Sequence, residues 1–121
     1  MKILTLHLKK KWFDMIKAGI KKEEYREMTW YWHNRLYMKG DFVFNEYDMV
    51  RFQWKYPPKG DTENTIEFKD VQIHIGEGKE EWGAEKWKQY FIITWNNPKQ
   101  QIKLNLTEEQ KQKIKEIKWS I

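Results

Sequence analysis

The run Gly19-Ile20-Lys21-Lys22-Glu23-Glu24-Tyr25-Arg26 carries the densest chemistry in this sequence. A lysine, a carboxylate and an arginine within six residues can bind, with Lys21 and Arg26 meeting a phosphate or a base carbonyl. Glu24 would then accept from an exocyclic amine or orient Arg26. The same residues can also catalyse: Lys21 with a lowered pKa, or Glu24 with a raised one, would serve as general base for amide or phosphodiester hydrolysis. An ion pair that merely orders a strand is the third reading. Spacing makes a demand that separates these cases. Glu24 and Arg26 are two apart, so a strand presents both on one face, whereas Lys21 is three from Glu24. For all three to converge, residues 20–22 must lie in a turn rather than in the pleat.

Aromatic residues follow at once. Trp30, Tyr31 and Trp32 stand near Arg26, Arg35 and Lys39, and rings interleaved with cations suit a stacked base and its phosphates. One of Trp30 and Trp32 is expected in the core. The ligand-binding set is therefore Lys21, Glu24, Tyr25, Arg26, Trp30 and Trp32, with Lys21 and Glu24 catalytic if the chain is an enzyme. His7, His33 and His74 show no metal-ligand spacing, so no metal and no cofactor is expected. His7 faces away from Leu4, Leu6 and Leu8, toward a pocket wall or the surface. The loop Gly76–Gly83 has backbone amides to offer an anion, but Glu77, Glu80 and Glu81 argue against a phosphate cradle.

Alternating and helical patterns define the elements that must position these groups. Leu4, Leu6 and Leu8 mark a first strand. Trp12, Phe13 and Ile16 mark a short helix over residues 10–18, ended by Ala18-Gly19 with a left-handed cap. The run after Gly19 reads as a strand, and Thr29 caps a second short helix through Leu36 and Tyr37. Val50, Phe52 and Trp54 mark a third strand, closed by the turn Pro57-Pro58-Lys59-Gly60-Asp61. Ile66 and Phe68 share one parity and Val71, Ile73 and Ile75 the other, which predicts a bulge near Lys69-Asp70. A helical turn is expected near Glu85–Lys88. Tyr90–Trp95 is apolar on both faces, as a central strand would be. A last strand through Ile102, Leu104 and Leu106 precedes a C-terminal helix opened by Thr107-Glu108-Glu109-Gln110. Six strands and three short helices predict an α+β, mainly β chain, a small mixed barrel in one domain over residues 1–121.

The pattern Gly-x-Lys-x-x-Glu-x-Arg, directly after a strand and a short helix, resembles the signature of the ASCH domain family. Upstream the likeness takes in the strand with His7 and the helix with Trp12 and Ile16; downstream it runs through Trp30-Tyr31-Trp32. Gly76–Gly83 is similar to stretches in small phage and bacterial ASCH proteins. The resemblance covers roughly residues 3–95, and residues 96–121 read as an added C-terminal piece. It implies a PUA-like barrel with a cleft beside the motif that binds RNA or modified nucleosides. Some relatives are amidohydrolases acting on acetylated cytidine and others are ribonucleases. The amidohydrolases carry a catalytic threonine where this chain has Glu24, and a carboxylate cannot replace a hydroxyl, so that reaction is not carried over. For their separate catalytic glutamate the candidates are Glu67 and Glu77.

Composition bounds the rest. The chain has 121 residues, no cysteine, and eight Trp, six Tyr and six Phe to fill its core, so neither disulfides nor thiol ligands are available. No apolar run reaches the length of a membrane span and no signal peptide is apparent, which predicts a cytoplasmic protein. Residues 1–40 hold ten Lys/Arg against four Asp/Glu, residues 41–98 seven against eleven, and residues 99–121 six against three. A basic first third beside an acidic middle suits a polyanionic partner such as RNA, although lysines also keep an aromatic-rich protein soluble. The expected function is binding of RNA or a nucleotide-like ligand. The alternatives are a small hydrolase using the same cleft and a phage-like protein-interaction factor, for which the C-terminal helix would be the place to look.

Overall fold

A computed structural model describes residues 1–38 and 42–96. Its elements, in chain order, are β1 (Ile3–Leu8), α1 (Lys10–Lys17), β2 (Glu23–Glu27), α2 (Trp30–Leu36), β3 (Met49–Trp54), β4 (Thr65–Glu77), a 3-10 turn (Glu80–Trp82) and β5 (Gln89–Asn96). The strand expected over 102–106, the C-terminal helix, and Lys39 lie outside the described residues.

The strands form one mixed sheet in the order β1-β3-β4-β5-β2. β1 and β3 are parallel, as a crossover through α1, β2 and α2 permits; every other pairing is antiparallel. The architecture is mainly β with two helices. The sheet is not closed among the described residues: β1 and β2 are its two edges.

Parity explains the core. Leu4, Leu6 and Leu8 of β1, Val50 and Phe52 of β3, and Phe91, Ile93 and Trp95 of β5 bury one face against Phe13 and Ile16 of α1 and Leu36 of α2. β5 is apolar on its second face too, and there Tyr90 and Ile92 pack with Ala84 and Tyr25 in a smaller cluster. That second cluster is what draws the loop after β4 against β2.

The predicted bulge is present. Pairing of β4 with β5 slips between Lys69 and Gln72, and Asp70 takes a left-handed backbone (φ 56°). The slip lets the first half of β4 pair with β3 and its second half with β5. The expected helical turn near Glu85–Lys88 does not form. The 3-10 turn lies earlier, at Glu80–Trp82, where its backbone N–H groups find Lys79 and Glu80 carbonyls, and Trp87 breaks helical geometry with φ 64°.

Candidate functional site

The site begins at the end of α1. Ile20 N–H donates to the Met15 carbonyl at 2.9 Å and Gly19 N–H to that of Ile16 at 3.0 Å, the 6→1 and 5→2 pair of a Schellman motif. Its left-handed position is Gly19 (φ 78°), where a side chain would be disfavoured. Lys21 N–H also reaches back to Met15 at 3.1 Å. Residues 20–22 lie in the reversal between α1 and β2, outside any strand, and the demand set by the spacing is met.

Lys21, Glu24 and Arg26 then converge. Lys21 Nζ lies 3.2 Å from Glu24 Oε1, and Arg26 Nη2 lies 2.9 Å from Glu24 Oε2. Their side chains are 0%, 8% and 19% exposed. One carboxylate thus serves two cations in a nearly dry setting, so the cluster carries a net positive charge. Glu24 Oε1 also accepts from the Tyr25 N–H at 3.1 Å.

The Lys21 ammonium is fully enclosed. It donates to the Trp82 carbonyl at 2.8 Å and sits against the Trp12 ring (5.1 Å) and the Tyr25 ring (4.8 Å). Burial pulls its pKa below the usual lysine value, and Glu24 works in the opposite direction. Arg26 does something different. Its guanidinium lies over the Trp32 ring at 5.0 Å, with Arg35 on Trp32 at 5.4 Å, and its Nη2 also donates to the His7 carbonyl at 3.2 Å. Arg26 Nε is buried without a hydrogen-bond partner among the described residues, one donor left over for something else.

A cleft of about 460 Å³ opens beside these residues. Glu24, Tyr25, Arg26 and Glu27 of β2 form one side. His7, Leu8 and Lys9 at the end of β1, with Trp12 of α1, form another, and Trp82, Gly83 and Glu85 with Tyr90 complete it. Its lining mixes rings with charges of both signs. Glu27 is held by Lys88 at 3.1 Å, and the exposed rim continues through His7, whose ring packs on Tyr56 at 4.6 Å.

Of the residues expected in the site, Glu24, Tyr25 and Arg26 line this cleft. Lys21 lies behind the lining, bonded through Glu24 and Trp82. Trp32 is half-buried and contributes by supporting Arg26. Trp30, 74% exposed, stacks on His33 at 4.9 Å and is not among the lining residues. Glu67 pairs with Arg51 at 3.0 Å on the sheet, and Glu77 lines a separate hollow with Glu80 and Trp87; neither reaches the cleft. Sequence reasoning missed Trp12, Trp82, Tyr90 and Glu85 as lining. The apolar period of α1 absorbed Trp12 as a core residue, and nothing local tells that Trp82 or Tyr90 will face β2. No group of His, Asp and Glu among the described residues could hold a metal ion, and none of their helices is long and apolar enough to cross a membrane.

No family model, no curated protein and no solved structure matches the chain.

Proposed function

We propose that this chain is an ASCH-type module of PUA-like architecture whose cleft binds a nucleotide-like ligand or an exposed base of single-stranded RNA. The observation that carries this reading is the pairing of Arg26 and Glu24 at a ring-lined cleft. A base offers a flat face for Trp12, Tyr25 or Tyr90, an acceptor for Arg26 and an amine for Glu24. The volume falls in the range of roughly 300–1,000 Å³ common for small-ligand sites. Arg26, the cation of the Lys21–Glu24–Arg26 cluster that lines the cleft, suits a ligand that brings an anionic or strongly accepting oxygen.

Hydrolysis by the same cleft is the second reading, favoured by one observation: the lowered pKa of Lys21. A general base must reach the proton it removes, and the Lys21 ammonium has no exposed surface. Binding is therefore the reading the geometry supports better. The test is titration of the protein with short single-stranded RNA and a panel of nucleosides and nucleoside monophosphates at two salt concentrations. Salt-sensitive binding weakened by Arg26→Ala supports the groove. Turnover of one nucleoside with little salt dependence moves the assignment to the hydrolase, and silence throughout removes both.

A further inference from the structure

We infer that Lys21 is a positioning residue that fastens the loop Lys79–Glu85 as a wall of the cleft, and that ligand does not meet it directly. The inference rests on the reading of this cleft as a binding site only for its consequence, not for its geometry.

Three ties hold that loop, and each comes from a different side chain. At its start, the Lys79 N–H donates to the Tyr25 hydroxyl at 2.9 Å, while that hydroxyl donates to Glu23 Oε1 at 2.8 Å. At its end, the Glu85 N–H donates to the Tyr90 hydroxyl at 3.0 Å. In the middle, Lys21 Nζ donates to the Trp82 carbonyl at 2.8 Å. The two tyrosines stand side by side on paired strands, ring centroids 5.7 Å apart, so the ends of the loop are fixed by one rigid wall. Besides Lys21, the span between those ends has its own short bonds, from the Trp82 and Ala84 N–H groups to Lys79 and from Gly83 to Glu80, and the packing of Ala84 with Tyr25 and Tyr90.

The span matters because Trp82, Gly83 and Glu85 form part of the lining of the cleft. Trp82 is buried, and its carbonyl accepts from Lys21, which lies behind the lining. Lys21 in turn is aimed by the Schellman turn and by Glu24, whose second oxygen holds Arg26. The lysine of the motif thus reaches across the back of the cleft, while the arginine works at its front. A charged donor to a buried carbonyl is among the stronger single hydrogen bonds, which suits a tie that must fix a loop from one point.

Amide exchange of the free protein tests this without any ligand. Lys21→Met is expected to speed exchange at Trp82, Gly83 and Ala84 by about tenfold or more, the loss of one charge-assisted bond. Lys21→Arg, which returns a charged donor, is expected to recover part of that protection. Tyr25→Phe should act at Lys79 alone. Exchange at Trp82–Ala84 within about twofold of wild type in a folded Lys21→Met protein would overturn the inference. If Lys21→Met does not fold, nuclear Overhauser contacts in the wild type decide: Lys21 side-chain protons close to Trp82 and to the Trp12 ring support the tie, and their absence overturns it. Because no ligand enters, failure here leaves the binding reading standing, and failure of the titrations leaves the tie standing.

Discussion

Arg26 Nη2 donates to the carbonyl of His7 at 3.2 Å, and by that bond a side chain of one edge strand reaches the backbone of the opposite edge. Among the described residues the sheet is open between β1 and β2, and Arg26 spans the opening with its guanidinium braced on Trp32. The residue best placed to meet a ligand is thus also one that fixes the distance between the cleft's sides.

Replacing Arg26 by lysine keeps the charge and loses the planar group that stacks on Trp32 and forks between Glu24 and His7. The expected result is a loss of about 1–3 kcal/mol in stability, the scale of a charge-assisted hydrogen bond, together with weaker binding of nucleoside monophosphates. Urea denaturation alongside the ligand titration reads both, and an unchanged midpoint with unchanged affinity would contradict the bracing role.

Glu24 is the carboxylate that pairs with both Lys21 and Arg26, so its removal should be the most damaging single change in the site. Glu24→Leu leaves Lys21 and Arg26 facing each other without a counter-ion, and about 3–5 kcal/mol of destabilisation is expected. The double variant Lys21→Met with Glu24→Leu removes one charge of each sign and should recover much of that loss. A double-mutant cycle measures it; simple additivity would mean the pair is not coupled.

The alkaline limb of stability separates Lys21 from the tyrosines. Burial holds Lys21 below its ordinary 10.5, so between its folded pKa and 10.5 the unfolded chain binds more protons. Stability therefore rises with pH across that window. Burial lifts Tyr25 and Tyr47 above their ordinary 10.0, so above that pH the unfolded chain gives up phenolic protons that the folded chain keeps, and stability falls. Urea melts between pH 8 and 11 are expected to lose the rise in Lys21→Met and to show a gentler fall in Tyr25→Phe.

Gly78 is the point of closest approach between loop and strand. A Cβ there would lie 2.7 Å from Cζ of Tyr25 and 2.7 Å from Cβ of Ala84. Gly78→Ala must push the loop off the Tyr25 ring, and the expected destabilisation is about 1–3 kcal/mol. Thermal or urea unfolding checks it, with faster amide exchange at Lys79 as the local sign.

Much of this arrangement was legible in the chain because its determinants are local. Gly19 after a short amphipathic helix predicts the reversal, and three-residue spacing from Lys21 to Glu24 then requires a turn. Thr29 caps α2 as expected, accepting from the Trp32 N–H, and the parity switch at Lys69-Asp70 marks the bulge. What local pattern cannot encode is which distant backbone completes a buried side chain. Lys21 reads in sequence as a ligand contact or general base, and only Trp82 with its carbonyl and Trp12 with its ring show it enclosed. For the same reason Trp30 and Trp32 look alike in sequence, while only Trp32 lies beneath the two arginines.

The pairing of β2 with β5 sets the order in which this site can come into being. Glu24 lies opposite Ile93, about seventy residues further on, so during synthesis β2 leaves the ribosome well before β5, its partner among the described residues, exists. At roughly 5–20 residues per second that interval lasts several seconds. Through it Glu23, Glu24, Arg26 and Glu27 sit on an unpaired segment, and their charges protect it from pairing with other chains. The polar character that suits the motif to the proposed binding role also makes it a safe segment to leave waiting.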